Sequence, residues 1–168
     1  MDPRVKKEIE SARLLYAEYG RALSEDEQIS RLLTRYKEAA IRTGEKMREI
    51  GIEKSCTECA LDLDECCCFK GVEEKYDRII LLINLVMGVE IPESREIPGC
   101  CLFVGSRGCK MTARHYFCVH YLCPSLKALL GPSAVDDFQS VAGEELSCGW
   151  ETEQAIRAWL KERGNKGI

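Results

Sequence analysis

Asparagine and glutamine are scarce in this chain, with two Asn and three Gln among 168 residues. Glu, Lys and Arg take their place, a balance resembling that of heat-adapted proteins. Neither charge sign dominates. A net charge of −4 and a pI near 5.4 give no global pull toward nucleic acid or an anionic membrane. Long hydrophobic runs are missing too. The longest, Ile79 to Val89, is broken by Asn84 and Gly88 and is too short to span a bilayer. Residues Met1 to Glu8 contain no apolar h-region, so no secretory signal is expected. There is no P-loop, G-x-G-x-x-G, nucleophile elbow or H-E-x-x-H, which leaves the common hydrolase and nucleotide routes unsupported. These absences together predict a cytoplasmic protein that engages neither nucleic acid nor membrane.

Cysteine is absent from the first fifty-five residues and then abundant. The cysteine-free part reads as helix throughout. Val5, Ile9, Ala12, Tyr16, Tyr19 and Leu23 recur at steps of four and three, which sets them on one face. Ser24-Glu25-Asp26-Glu27 reads as a capping box, with Ser24 as N-cap. A second stripe follows at Ile29, Leu33, Tyr36, Ala40, Thr43, Met47 and Ile50, and Gly51 ends it. The expectation is a self-packed αα-hairpin over residues 1–51, joined at Ala22–Glu25. It caps a cysteine-rich domain over 52–168, or serves as an arm for a homodimer or another protein partner.

Further along, Val72 to Gly88 reads as a buried helix, because Ile79 to Ile83 is apolar on every side. Ile91 to Gly99, with two prolines, reads as extended loop. Pro124 suits the first turn of a helix running to Gly131. Ser133 can cap a helix over Ala134–Ala142 that ends at Gly143, and a last helix spans Glu151 to Arg163. The fold class is therefore mainly α: an N-terminal αα-hairpin plus a small helical domain with irregular cysteine-rich loops.

Ten of the eleven cysteines fall between Cys56 and Cys123, and Cys148 stands apart as a packing thiol. Thiols this dense are either crosslinked or deprotonated on a metal. A reducing cytosol disfavours disulfides, and an odd total leaves one thiol over; intracellular proteins of hyperthermophiles are the exception. Cys56-x2-Cys59 has the spacing at which one turn offers two thiolates to the same ion. The runs Cys66-Cys67-Cys68 and Cys100-Cys101 are harder to read, because adjacent side chains in extended backbone point apart. They share a local echo, CC-x-F-x-G, over residues 66–71 and 100–105. Cys123, just before Pro124, sits at the positive end of a helix, a good position for a thiolate ligand.

The ordered set Cys56-x2-Cys59, Cys66-Cys67-Cys68, Cys101-Leu102-Phe103-Val104, Gly108-Cys109-Lys110-Met111, Arg114-His115-Tyr116-Phe117-Cys118 and Cys123 resembles the YkgJ-type CxxCxxCC proteins. These carry a zinc- or iron-chelating domain. The likeness spans residues 56–123, and the hairpin lies outside it. It implies metal binding through Cys56, Cys59, Cys66, Cys67, Cys68, Cys101, Cys109, Cys118 and Cys123, with a [4Fe–4S] cluster or Zn(II) as the bound group. The family also includes flagellin lysine methylases, in which a similar cysteine set is associated with an iron–sulfur cluster.

A zinc ion and a [4Fe–4S] cluster each take four thiolates, so this pool exceeds one site. The surplus forms a second site, a disulfide pair or reactive thiols. His115 and His120 flank Cys118 as further candidate ligands or proton carriers. Tyr116, Phe117 and Tyr121 are expected to shield the thiolates, and Arg107, Lys110 and Arg114 to balance their charge. Three functions follow as expectations: a metal-binding protein, an iron–sulfur redox or methylase-like enzyme, and a zinc-stapled interaction module.

Overall fold

Asp2 opens the first helix by accepting the Arg4 N–H at 2.8 Å, with Pro3 in the first turn. The computed structural model describes residues 1–61 and 67–165, the side chains of Ala60 and Leu61 excepted. In it α1 spans Pro3–Glu25, α2 Glu27–Glu49, α3 Ile52–Leu61, α4 Arg78–Val86, α5 Tyr116–His120 and α6 Pro124–Glu162. A 3-10 turn at Val72–Lys75 precedes α4, and a small antiparallel pair, β1 Val104–Gly105 and β2 Gly108–Cys109, precedes α5. The chain is mainly helical and begins with a helix pair, as its periodicity predicts.

Asp26 alone separates α1 from α2. Its carboxylate accepts the Gln28 and Ile29 N–H groups and, through its other oxygen, the Trp159 indole N–H of α6 at 3.0 Å. Ser24 is therefore not the N-cap the capping box predicted. It lies inside α1 and donates to the Gly20 carbonyl at 2.9 Å. The reason is competition between caps: Asp26 satisfies two orphan donors of α2 and ties down α6 as well.

The two N-terminal helices turn their apolar stripes to different neighbours. α1 lies mainly along α4, and α2 mainly along α6, more than on each other. Val5, Ile9 and Ala12 share one core with Leu81, Phe103 and Met111, while Leu15, Leu23, Ile29 and Leu33 share a second with Ile79, Ile156 and Leu160. Details of the stripes shift accordingly. Leu15 is buried where Tyr16 was expected, and Ala39 where Ala40 was. A third core joins Ile52 of α3 to Val119, Leu122, Leu126, Phe138 and Ala142.

Of the two ends that glycine predicted, the structure keeps the one at Gly131 and runs past the one at Gly143. The α6 backbone breaks at Gly131, with φ 75° and ψ 165°, and Pro132 opens the next stretch; Gly143 and Gly149 are passed without interruption. Packing outweighs propensity here. At Gly149 a Cβ would stand 2.9 Å from the Tyr36 ring, so glycine lets α6 approach α2 closely. Arg35–Glu151 and Arg42–Glu144 pair across the same contact at 3.1 and 3.2 Å.

Asn84 is the buried polar centre of α4. Its amide donates to the Ile80 and Ala113 carbonyls at 2.9 and 2.8 Å, and its oxygen accepts the Thr112 and Ala113 N–H groups at 3.0 Å. One side chain thus holds the segment that leads from β2 to α5. Replacing it with leucine strands two backbone N–H groups and a carbonyl, at about 1–3 kcal/mol for each group left unsatisfied. The Asn84→Leu protein is expected to lose about 3 kcal/mol or more of stability, read from its urea denaturation midpoint.

Candidate metal centre

The two cysteine blocks, thirty residues apart, meet through their backbones. Phe69 forms an antiparallel bridge with Cys100, the Cys101 N–H donates to the Cys68 carbonyl at 2.7 Å, and the Lys70 N–H donates to Gly99 at 2.8 Å. The repeated CC-x-F-x-G segments are therefore partners in space. Their phenylalanines differ in role: Phe103 is fully buried, whereas Phe69 is 53% exposed. Glu73 locks the joint. It is buried, accepts the Gly71 N–H at 2.9 Å and pairs with Arg95, which donates through Nε to the Cys100 carbonyl at 2.9 Å. A buried carboxylate of this kind persists because a cation and a backbone donor compensate it.

Cys56 and Cys59 stand three residues apart. They lie on α3, where a spacing of three sets both on one helix face. Ile52, buried in the third core, anchors that helix. Cys66 lies outside the described residues. Cys67 is half-buried; burial first, then Cys123 and the neighbouring Cys59 and Cys56, push its thiol up to about 12. Cys123 is the N-cap of α6, as its place before Pro124 predicts.

Cys101, Cys109 and Cys118 come from the loop after Gly99, from β2 and from α5. Glu96 fastens the hairpin that carries Cys109: it accepts the Ser106 N–H at 2.7 Å and pairs with Lys110 at 2.8 Å, contacts that hold its carboxyl down at about 2. Burial pushes the Cys101 thiol up to about 12 and the Cys118 thiol up to about 11. Cys109 keeps accessible surface, yet enclosure by protein atoms raises it as well. Tyr76 stands over this set. Its ring packs edge-on against Phe103 at 4.7 Å, and its hydroxyl reaches Cys118 Sγ at 3.9 Å. Nearby, Arg114 is buried against Glu145, with contacts of 2.8 and 3.0 Å, and draws the Cys109 and Cys118 thiols back down.

One cavity of about 400 Å³ joins these parts, lined by Cys56, Cys67, Cys68, Cys101, Cys109, Cys118 and Cys123. Ala40, Ile41 and Gly44 of α2 add apolar lining to it. Phe117 and Tyr121 stack at 4.9 Å and border the cavity, whereas Tyr116 points out to solvent. Among the described residues, no three His, Cys, Asp or Glu side chains stand at metal-holding spacing. The thiols gather around a space rather than around a point. As donors they are uniformly soft, which suits zinc or an iron–sulfur cluster and not a hard cation.

The remaining candidates divide. His115 caps α5, its Nδ1 accepting the Phe117 N–H at 3.3 Å, and burial and Lys75 lower its pKa. His120 is exposed, and Arg107 borders the cavity. Cys148 is half-buried against the second core. Tyr76, Glu73, Arg95 and Glu145 escaped the sequence reading. Asn84 left a signal, a lone amide in an apolar run, and the others left none. No protein-family model, curated protein or solved structure matches the chain.

The raised thiols make a prediction about pH. A proton held more tightly by the folded than by the unfolded chain adds stability below the ordinary thiol pKa, and that stability disappears as pH climbs through the folded value. For Cys67 and Cys101 the window runs from 9 to about 12. Reduced, chelator-treated protein should hold a constant urea midpoint up to about pH 8.5, the ordinary thiol range, and lose stability steeply above it. A midpoint flat across the alkaline window would contradict the desolvated thiols.

Proposed function

We propose that this chain is a cytoplasmic protein that binds a metal centre through cysteine thiolates, as an iron–sulfur cluster or as zinc. The observation that carries this reading is the gathering of seven cysteines, from α3 to the start of α6, around one cavity. The Cys67, Cys101 and Cys118 thiols, raised by burial, stay protonated at neutral pH, and a metal ion or cluster supplies the positive charge that lets them ionise. Binding would then release protons and draw separate loops together. A cavity of about 400 Å³ is larger than a single tetrahedral ion needs, which favours the bulkier iron–sulfur group.

Within that reading, Cys56, Cys59, Cys67, Cys101, Cys109, Cys118 and Cys123 supply the thiolates, with Cys66 and Cys68 completing the pool that the CxxCxxCC resemblance implies. Tyr76 would donate a hydrogen bond to sulfur, and Arg114 would offset thiolate charge. An iron–sulfur cluster would supply electron-transfer or radical chemistry, and the apolar lining from α2 leaves room for a substrate beside it. The interaction-module reading is less favoured, because the apolar stripes of α1 and α2 are used inside the fold.

Anaerobic purification followed by iron, zinc and sulfide analysis is the direct test. Brown protein with iron and sulfide in equal amounts indicates a cluster, and colourless protein with stoichiometric zinc indicates a structural site. Replacing Cys56 and Cys59 together by serine is expected to lower metal content and thermal stability in parallel. An unchanged metal-to-protein ratio in that variant overturns the assignment.

A further inference from the structure

The joint between the cysteine blocks also sets two thiols against each other. The Phe69–Cys100 bridge is antiparallel and is flanked by its two hydrogen bonds, Lys70 N–H to the Gly99 carbonyl at 2.8 Å and Cys101 N–H to the Cys68 carbonyl at 2.7 Å. One residue out from the bridge, Cys68 therefore stands opposite Cys101. Opposite residues at a hydrogen-bonded position of such a ladder lie about 5.5 Å apart at Cα, within the range of about 4.4–6.8 Å that a disulfide spans. Side-chain alternation agrees with this placement. Cys68 and Cys101 both line the cavity, whereas Phe69 is exposed to solvent and Cys100 is buried in the first core. Cys68 packs against that same core, of which Cys101 is part. The Glu73–Arg95 pair and the Arg95 bond to the Cys100 carbonyl hold the two segments together, so the loop from 68 to 101 is already closed before any sulfur is joined.

We infer that Cys68 and Cys101 form a reversible dithiol–disulfide site, oxidised by a small-molecule disulfide that enters the cavity. Cys68 is half-buried and Cys101 only 4% exposed, so the incoming molecule meets Cys68 first. Cys68 Sγ, as the thiolate, attacks one sulfur of that disulfide, breaks its S–S bond and expels one small thiol, which takes the Cys68 proton. Cys101 Sγ then attacks Cys68 Sγ, forms the cross-strand bond and expels the second small thiol, which takes the Cys101 proton. Two protein thiols are oxidised, one small disulfide is reduced to two thiols, and no other electron carrier enters. The inference needs only these two thiols and does not rest on the metal-binding reading. Where a metal does bind, the disulfide would withdraw two sulfurs from the cavity lining and compete with it.

Glutathione supplies the probe. The reduced full-length chain, stripped of metal by chelation under anaerobic conditions, is equilibrated in buffers of increasing oxidised-to-reduced glutathione ratio, quenched with acid, alkylated and digested with trypsin. Trypsin separates Cys68, in residues 55–70, from Cys101, in residues 96–107. A cross-linked pair of these peptides, assigned by fragmentation to Cys68 and Cys101, is expected to grow with the oxidised share and to vanish on adding dithiothreitol. The thiol count should fall from eleven to nine. Cys68→Ser and Cys101→Ser should each abolish the peptide pair, and Cys67→Ser and Cys100→Ser should leave it. Absence of the link at the most oxidising ratio overturns the inference. So does a link that joins Cys101 to Cys109 or Cys118 instead, or one that persists in Cys68→Ser. Assignment on the unaltered chain decides the matter even if a variant fails to fold, and neither result alters the metal content of the protein as purified.

Discussion

The antiparallel contact between residues 68–70 and 99–101 is the joint on which the rest of this structure depends. Neither cysteine block carries enough regular structure to define a site by itself. The first ends a short helix, and the second lies in loops, a two-residue hairpin and a five-residue helix. Two backbone hydrogen bonds, which form the Phe69–Cys100 bridge, and the Glu73–Arg95 pair hold them together. That arrangement places a carboxylate, a guanidinium and several carbonyls out of water, and each is matched with a partner, as burial of polar groups requires.

Around that joint the helices act as fixed walls. α1 covers one side through α4, α2 covers another through α6, and Asp26 with Trp159 ties the corner between them. Two buried polar contacts then aim the thiols. Asn84 fixes the approach to α5 and so to Cys118, while Arg114 with Glu145 puts a charged pair beside Cys109 and Cys118. Breaking a buried pair of this kind costs about 3–5 kcal/mol, since the survivor is left without compensation. Burial holds the Cys67, Cys101 and Cys118 thiols above the ordinary thiol range.

Much of the fold was legible in the chain. The stripes from Val5 to Leu23 and from Ile29 to Ile50 predicted the helix pair, the apolar run Ile79 to Ile83 predicted a buried helix, and Pro124 marked where α6 begins. The misreadings share a cause. Ser24 carried the local signature of a cap and Gly143 the local signature of a stop, yet Asp26 and the contact with α2 decided otherwise. Local propensities amount to about a kilocalorie per mole, and tertiary packing readily exceeds that.

The sequence by itself determined the chemistry: soft sulfur donors in a set order, few histidines, and apolar stripes long enough to frame a helical domain. Tertiary structure alone decided which thiols face one another. Cys118 and Cys123 are near neighbours in the chain but pack against different cores, and Cys67, Cys68 and Cys123 border one cavity although more than fifty residues separate them. Spacing along a chain constrains only what one turn or one helix face can reach. Partnerships between distant loops depend on which buried contacts hold those loops, and here Glu73, Arg95, Asn84 and Arg114 are those contacts.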